Sequence, residues 1–361
     1  MKPFFHYVTV AVVSASCILA FPRTNAADAP RSREELEAAT RLQVFLDRAE
    51  FAPGKIDGRY GEFTLKALSL YRQAKGGSSV SVSAESKKNI APDVSDLDLN
   101  SVDPLFVSYT VTDADMQSVG ELPESIPAQS KKKSLPYKNV GEAIAEMFHT
   151  DADFLAQLNP DKIKAIKAGD TLIVPNVEPF DLSAVKNLKP GGEIAGTAVN
   201  DSEDETSGKN AGAEESVADK VGKSDAAQIS VKIETETNML TVYEQEKLVA
   251  AYPVTIGSER TESPVGEWKV RGVAKMPNFR YDKAMLNKGE RSEDFHMLPP
   301  GPNNPVGVIW IALNKKGIGL HGTSDPDAIG RSASHGCVRM ANWDVVRLAG
   351  KVKAGVSVSI R

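Results

Sequence analysis

The sequence predicts a multidomain chain in which a mostly β domain at the C-terminus follows a small α-helical module and a small α+β module. Three observations carry this. The chain has 361 residues, beyond the roughly 100 to 200 of a typical domain, so two or three domains are expected. Residues 196–227 combine Gly, Ala, Ser, Asp and Glu with almost no large apolar side chains, so they cannot bury enough surface to order themselves. Apolar residues recur at helical spacing near the N-terminus and alternate from Ile229 onward, which is the period of strands.

At the start, Lys2 precedes an apolar run from Phe4 to Phe21, and Thr24-Asn25-Ala26 supplies small residues at the cleavage positions. Residues 1–26 read as a secretory signal peptide, which places the remainder in the periplasm or cell wall. The alternative is an uncleaved anchor as the only membrane contact, although His6 and several Ser and Thr residues weaken the run as a span. A net charge of -5 argues against affinity for polyanions, so no nucleic-acid partner is expected. Of the two cysteines, Cys17 leaves with the signal peptide. Ser14-Ala15-Ser16 before it is a poor lipidation pattern. Cys337 then has no second cysteine with which to form a disulfide, and such a thiol in an oxidising compartment is buried, linked to another chain, or kept for reactivity.

In residues 31–76, Leu36, Leu42, Phe45, Leu46 and Ala49 share one helical face, Pro53 to Gly58 form a turn, and Leu65, Leu68 and Tyr71 resume helical spacing. Leu42-Gln43-x-x-Leu46 with Pro53-Gly54-x-Ile56-Asp57-Gly58-x-Tyr60-Gly61 resembles the helical peptidoglycan-binding domain. Residues 77–104, rich in Ser, Asp and Lys, read as a linker. Residues 105–178 predict a strand at Val107 to Val111, helices at Ala143 to Phe148 and Phe154 to Leu158, and a closing strand after Gly169-Asp170. Tyr109-Thr110-Val111, Ile144-Ala145-x-x-Phe148, Asn159-Pro160 and Ala168-Gly169-x-x-Leu172-x-Val174-Pro175 resemble a LysM carbohydrate-binding module. The departure is about thirty extra residues between Thr112 and Val140. Residues 179–227 form the acidic linker.

The last domain, residues 228–361, predicts strands around Ile229 to Ile233, Leu240 to Val242, Leu248 to Val254, Trp268 to Val273, Val308 to Leu313 and Val356 to Ile360. One helix is expected near its end, with Asn342 as N-cap and Gly350 as its stop.

Chemistry concentrates in His321-Gly322-Thr323 and Ser334-His335-Gly336-Cys337-Val338-Arg339, which hold two of the five histidines. A thiol attacks a carbonyl as thiolate, and a histidine within hydrogen-bond reach takes its proton or holds it as an ion pair. His335, two residues from Cys337, shares its face in an extended chain, whereas His321 is returned by a loop, and spacing alone leaves the choice open. A zinc site lacks both familiar ligand spacing and an evident fourth ligand, so no metal is expected. A buried structural thiol is the other alternative. Gly322 and Gly336 favour catalysis by allowing close approach of substrate.

These motifs, with Tyr252-Pro253-Val254-x-Ile256-Gly257, Ser263-Pro264-x-Gly266 and Pro299 to Gly307, resemble the L,D-transpeptidase (YkuD-type) catalytic domain. The resemblance implies a mostly β sandwich of mixed sheets with a short helix. It implies Cys337 as nucleophile and His321 as general base, its other ring nitrogen held by the Gly322 carbonyl. His335 would position substrate, and the backbone N–H groups of His335, Gly336 and Cys337 would form the oxyanion hole. Ser334 would support that loop, and Arg339 would steady it or bind a substrate carboxylate, unless it serves a structural salt bridge. The implied partners are peptidoglycan stem peptides and glycan, with a stem amine, a lipoprotein lysine, a D-amino acid or water as acceptor, and no cofactor. The alternatives are an L,D-endopeptidase or amidase on the same scaffold, or a non-catalytic wall-binding scaffold.

Overall fold

The computed structural model describes residues 32–77, 90–182, 229–257, 263–288, 291–315, 317–331 and 336–361, all within the compact unit Ser32–Arg361. The expected signal peptide and residues 183–227 of the acidic linker lie outside the described residues. Among those described, no helix is long and apolar enough to cross a membrane.

Helix α1 (Arg33–Arg48) starts in a capping box: the Ser32 hydroxyl accepts from the Glu35 N–H, and the Glu35 carboxylate accepts from the Ser32 N–H. It packs on α2 (Glu62–Ala74) across Leu42, Leu46, Ala67 and Leu68. The turn between them is held by Gln43, whose Oε1 accepts the Gly58 N–H at 2.9 Å while Nε2 donates to Asp57 at 2.8 Å. This core is not self-contained, because Met239, Leu248 and Ala251 of the C-terminal domain complete it. Burial of a large apolar side chain contributes roughly 1.5–3 kcal/mol. Two such side chains therefore matter against a total stability of about 5–15 kcal/mol. Part of the expected linker is also folded: Val94, Leu97 and Leu99 pack on this core, and Arg72 Nε donates to Asp96 at 2.8 Å.

Next, β1 (Phe106–Thr110) pairs antiparallel with β2 (Thr171–Pro175), enclosing α3 (Asp113–Gln117), α4 (Ile126–Gln129), α5 (Val140–Met147) and α6 (Ala152–Leu158). Strand, helix, helix and strand follow the expected order, and α3 and α4 occupy the extra residues. That insertion reaches the C-terminal domain. The Leu135 N–H donates to Pro300 O at 2.9 Å, and the Asn303 N–H donates to Leu135 O at 3.1 Å. A Cβ on Gly301 would lie 2.1 Å from Leu135 O, so only glycine allows this approach.

The C-terminal domain contains β3 (Ile229–Glu234), β4 (Met239–Glu244), β5 (Lys247–Pro253), β6 (Gly266–Lys275), β7 (Phe279–Asp282), α7 (Lys283–Lys288), β8 (Phe295–Leu298), β9 (Ile309–Leu313), β10 (Gly319–His321), β11 (Val338–Arg339), α8 (Asn342–Lys351) and β12 (Ser357–Ile360). Where the resemblance implied a sandwich of mixed sheets, eight strands form one mixed, bent sheet in the order β11-β10-β9-β6-β12-β3-β4-β5. Strand β6 joins its halves: Gly266 to Lys269 pair with β12, Val270 to Lys275 pair with β9, and the register shifts between Val270 and Gly272. Such a bulge bends a strand, so one sheet serves as both layers. The core lies between them, with Val231, Ile233, Leu240, Ile311, Leu320, Val338 and Val358 buried. The alternation missed the separate β7–β8 hairpin, whose strands are only four residues each. Helix α8 begins one residue earlier than expected: Ala341 is the N-cap, and Asn342 uses its side chain elsewhere. Gly350 falls inside the last turn, within the usual scatter of helix ends.

The three parts meet at a buried ionic group. Asp47 of α1, fully buried, accepts from the Arg347 guanidinium of α8 at 3.0 and 2.8 Å and from His149, just beyond α5, at 3.1 Å. Burial alone would raise the Asp47 carboxyl, but Arg347 and His149 hold it well below the usual carboxylate range. The His149 ring stacks on Trp343 of α8 at 5.4 Å. A second junction, nearer the surface, pairs Lys55 with both Asp151 and Asp327.

Candidate active site

Strand β10 lies between β9, antiparallel, and β11, parallel, with Leu320 opposite both Ile311 and Val338. Leu320 and Val338 point into the core. Side chains alternate along strands, so His321 on β10, Arg339 on β11 and Cys337 immediately before β11 share the other face. The parallel register sets Arg339 beside His321, and Cys337 two residues earlier on the same face, beside Gly319. Gly322 follows His321, and Gly336, at a φ of 102° that favours glycine, precedes the thiol. Ser334 and His335 lie outside the described residues.

The imidazole is held from two sides. Its Nδ1–H donates to Gly322 O at 2.6 Å, which leaves Nε2 as the acceptor nitrogen. The ring also stacks on Trp310 at 5.2 Å and 8°. Trp310 fits there because Gly319 has no side chain: a Cβ would lie 2.8 Å from the indole. Replacing Gly319 by Ala is expected to cost about 1–3 kcal/mol from overpacking and to slow any reaction needing His321. An unchanged unfolding midpoint would show that the indole relaxes freely.

Burial drives His321 down to about 4, with the Gly322 hydrogen bond opposing and the Arg339 charge adding to the effect. Burial likewise drives the Cys337 thiol up to about 11, and a hydrogen bond from the Gly319 backbone and the Arg339 charge offset only part of this. At neutral pH the resting pair is therefore thiol and neutral imidazole, not the ion pair that is one of the two ways a histidine activates a thiol. The thiol also donates to Gly317 O at 3.4 Å. Arg339 is itself lowered by burial, with Cys337 and Asp325 as the nearest opposing influences. Its backbone exchanges two 2.9 Å hydrogen bonds with Thr255. The Thr255 hydroxyl in turn accepts the Gly330 N–H at 2.8 Å, which anchors the loop leaving His321. Phe63 of α2 lies against Gly330, where a Cβ would meet its ring at 2.3 Å.

Sequence reasoning missed Trp310, Gly319 and Asn342. Asn342 Oδ1 accepts the Val308 N–H at 3.2 Å and sits where a Cβ on either Gly322 or Gly307 would lie, 2.1 Å away in each case. Its place one residue beyond Ala341 reads as a helix cap, and its real partners are distant in sequence. Among the described residues, no group of three or more His, Cys, Asp or Glu side chains has a metal-holding arrangement.

Residues 228–360 match the YkuD family, described as the L,D-transpeptidase catalytic domain. The chain is 35% identical over 133 residues to a putative L,D-transpeptidase YkuD of Bacillus licheniformis, covering 37% of this chain and 64% of that protein. Its namesake in Bacillus subtilis is 31% identical over 132 residues, with the same coverage of 37% and 64%. The match therefore spans slightly less than two thirds of both relatives. A putative L,D-transpeptidase YqjB of Bacillus subtilis is 32% identical over 135 residues, covering 36% of this chain and 69% of that protein.

Proposed function

Since the chain belongs to the YkuD family of L,D-transpeptidases through residues 228–360, we propose that it is an exported, cysteine-dependent acyltransferase of peptidoglycan. The observation that carries this reading is the placement of His321 on β10 and Cys337 immediately before the adjacent β11 on one face, with His321 Nδ1–H committed to Gly322 O.

In the proposed reaction, Cys337 Sγ attacks the carbonyl of the L,D-peptide bond after the diamino acid of a tetrapeptide stem. His321 Nε2 takes the thiol proton as the S–C bond forms. The developing oxyanion is held by backbone N–H groups of His335, Gly336 and Cys337. Collapse breaks the C–N bond, His321 returns the proton to the departing D-alanine amine, and a thioester remains. An acceptor amine then attacks the thioester while His321 receives its proton and passes it to the leaving sulfur. A stem-peptide acceptor gives a 3-3 cross-link, a lipoprotein lysine or D-amino acid gives attachment or exchange, and water gives hydrolysis. A neutral thiol–imidazole pair suits this scheme, because proton transfer then accompanies attack. Ser334 supports the oxyanion loop, and Arg339 steadies it or meets a stem carboxylate. The helical module and the strand-helix module are proposed to hold peptidoglycan, through the motifs that resemble wall-binding domains.

Incubating the purified protein with tetrapeptide-rich muropeptides and resolving the products tests this. New 3-3 dimers with released D-alanine are expected. Monomers alone would assign hydrolysis, and no turnover together with retained sacculus binding would assign a non-catalytic scaffold.

A further inference from the structure

We propose that the cavity where the three modules meet is the binding site for the acceptor stem, an amine-bearing peptide held there by its ammonium group. The proposal rests on the transfer reaction above, in which an amine resolves the thioester. The cavity has a volume of about 530 Å³, within the range of roughly 300–1,000 Å³ usual for small-ligand sites. Each module supplies part of its wall. Lys55 lies in the turn after α1, Ile126 and Glu142 lie on α4 and α5, and Ser324 and Asp325 belong to the segment continuing from His321-Gly322-Thr323. Trp343 lines it as well, and the preceding Asn342 packs its Oδ1 against Gly322, whose carbonyl holds His321. The cavity therefore borders the segment that carries the base.

The lining selects for a cation. Glu142, Glu146, Asp325 and Asp327 share it with two lysines, Lys55 and Lys138. Lys55 is already committed to Asp151 and Asp327, and Lys138 is exposed. Glu142 carries the placed charge. Its Oε2 accepts the Lys138 N–H at 2.6 Å, and its Oε1 accepts from Asn303 Nδ2 at 3.1 Å. Asn303 is buried and also donates to Pro136 O at 2.8 Å. The inserted segment and the C-terminal domain thus fix this carboxylate between them, and each oxygen keeps capacity for a further donor. An ammonium group brings three donors, and such charge-assisted bonds are roughly twice as strong as neutral ones. A second observation points to a peptide. Glu146 Oε1 and Trp343 Nε1 are buried without hydrogen-bond partners, and Trp343 is only 2% exposed. Burial raises the Glu146 carboxyl to about 8, so at neutral pH it offers hydrogen bonds more than charge. Unpaired buried polar groups are costly. A peptide unit supplies the matching pair, a carbonyl for the indole N–H and an N–H for the carboxyl oxygen. Binding here concentrates the acceptor beside the catalytic segment, and the covalent steps stay those already given.

The test titrates the full-length protein by calorimetry after a carbapenem has blocked Cys337. The probes are two synthetic stem tetrapeptides with acetylated N-termini, one with the side-chain amine of its diamino acid free and one with that amine acetylated. The free amine is expected to bind about tenfold tighter or more. Glu142→Gln keeps the side-chain shape and one acceptor oxygen, and it should remove most of that difference. Ala152→Trp, at an exposed position of the lining, should fill the cavity and weaken the free-amine peptide about tenfold or more. Thermal unfolding confirms that each variant folds, and the exposed Ala152 position provides a folded variant even where Glu142→Gln fails. Equal affinity of wild type for the two peptides overturns the proposal. So does a folded Glu142→Gln that discriminates like wild type, or a folded Ala152→Trp that binds unchanged. Equally tight binding of an amine-free disaccharide would assign the cavity to glycan and overturn it too. If no carbapenem adduct forms, the nucleophile assignment fails, and the same titration of unmodified protein still decides the cavity.

Discussion

Replacing Cys337 by Ala is expected to eliminate the mass adduct left by a carbapenem while leaving sacculus binding and the unfolding midpoint close to wild type. Cys337 is the only cysteine in residues 18–361, so no residual adduct on the folded domains is anticipated. The variant should fold because Cys337 is only partly buried, at the edge of a small cluster around Trp310, and the change removes a single sulfur atom. A variant carrying the same adduct mass as wild type would sink the nucleophile assignment. The wild-type protein adds a pH signature. Burial lifts the thiol to about 11 and lowers His321 to about 4, so thiolate is scarce at neutral pH without substrate. The sign follows directly: iodoacetamide alkylation should rise steadily with pH through 9, since the thiol ionises only as pH approaches its raised value. A plateau already reached near pH 6 would instead show a preformed ion pair.

Replacing Asp47 by Ala is expected to cost about 3–5 kcal/mol and lower the unfolding midpoint by on the order of 10 °C. The figure comes less from the lost attraction than from what remains, an Arg347 guanidinium and a His149 ring inside the protein with no carboxylate between them. Asp47→Asn keeps the volume and one acceptor but removes the charge, and it should recover only part of the loss. Because Asp47, His149 and Arg347 come from three segments separated by 102 and 300 residues from Asp47, the damage should appear as loss of cooperativity between modules. A shift below about 1 kcal/mol, in the range of exposed ion pairs, would show that this group contributes little.

Much of the fold is legible in local pattern. The alternation at Ile229, Val231 and Ile233 and the helical spacing at Leu36, Leu42 and Leu46 declare strand and helix because one face of each is buried. The β7–β8 hairpin escaped because four-residue strands, half-buried for most of their length, leave too short a pattern to read. Asn342 reads as a cap because its chemistry suits one, yet its partners are Val308, Gly322 and Pro302, which no local pattern connects to it.

The sequence by itself determined which residues carry reactive chemistry, because thiol and imidazole reactivity belong to residue types and the glycines beside them declare close approach. Only the tertiary structure decided their state and their support. The neutral resting pair follows from burial, and burial is a property of the packed sheet. The fixing of His321 by Gly322, Trp310 and Asn342 follows from strand register and from α8. The inserted segment between Thr112 and Val140, a departure when read along the chain, docks through Leu135 and Pro136 onto the domain that bears the thiol. Such contacts join residues more than a hundred positions apart, and they exist only once the chain has brought them together.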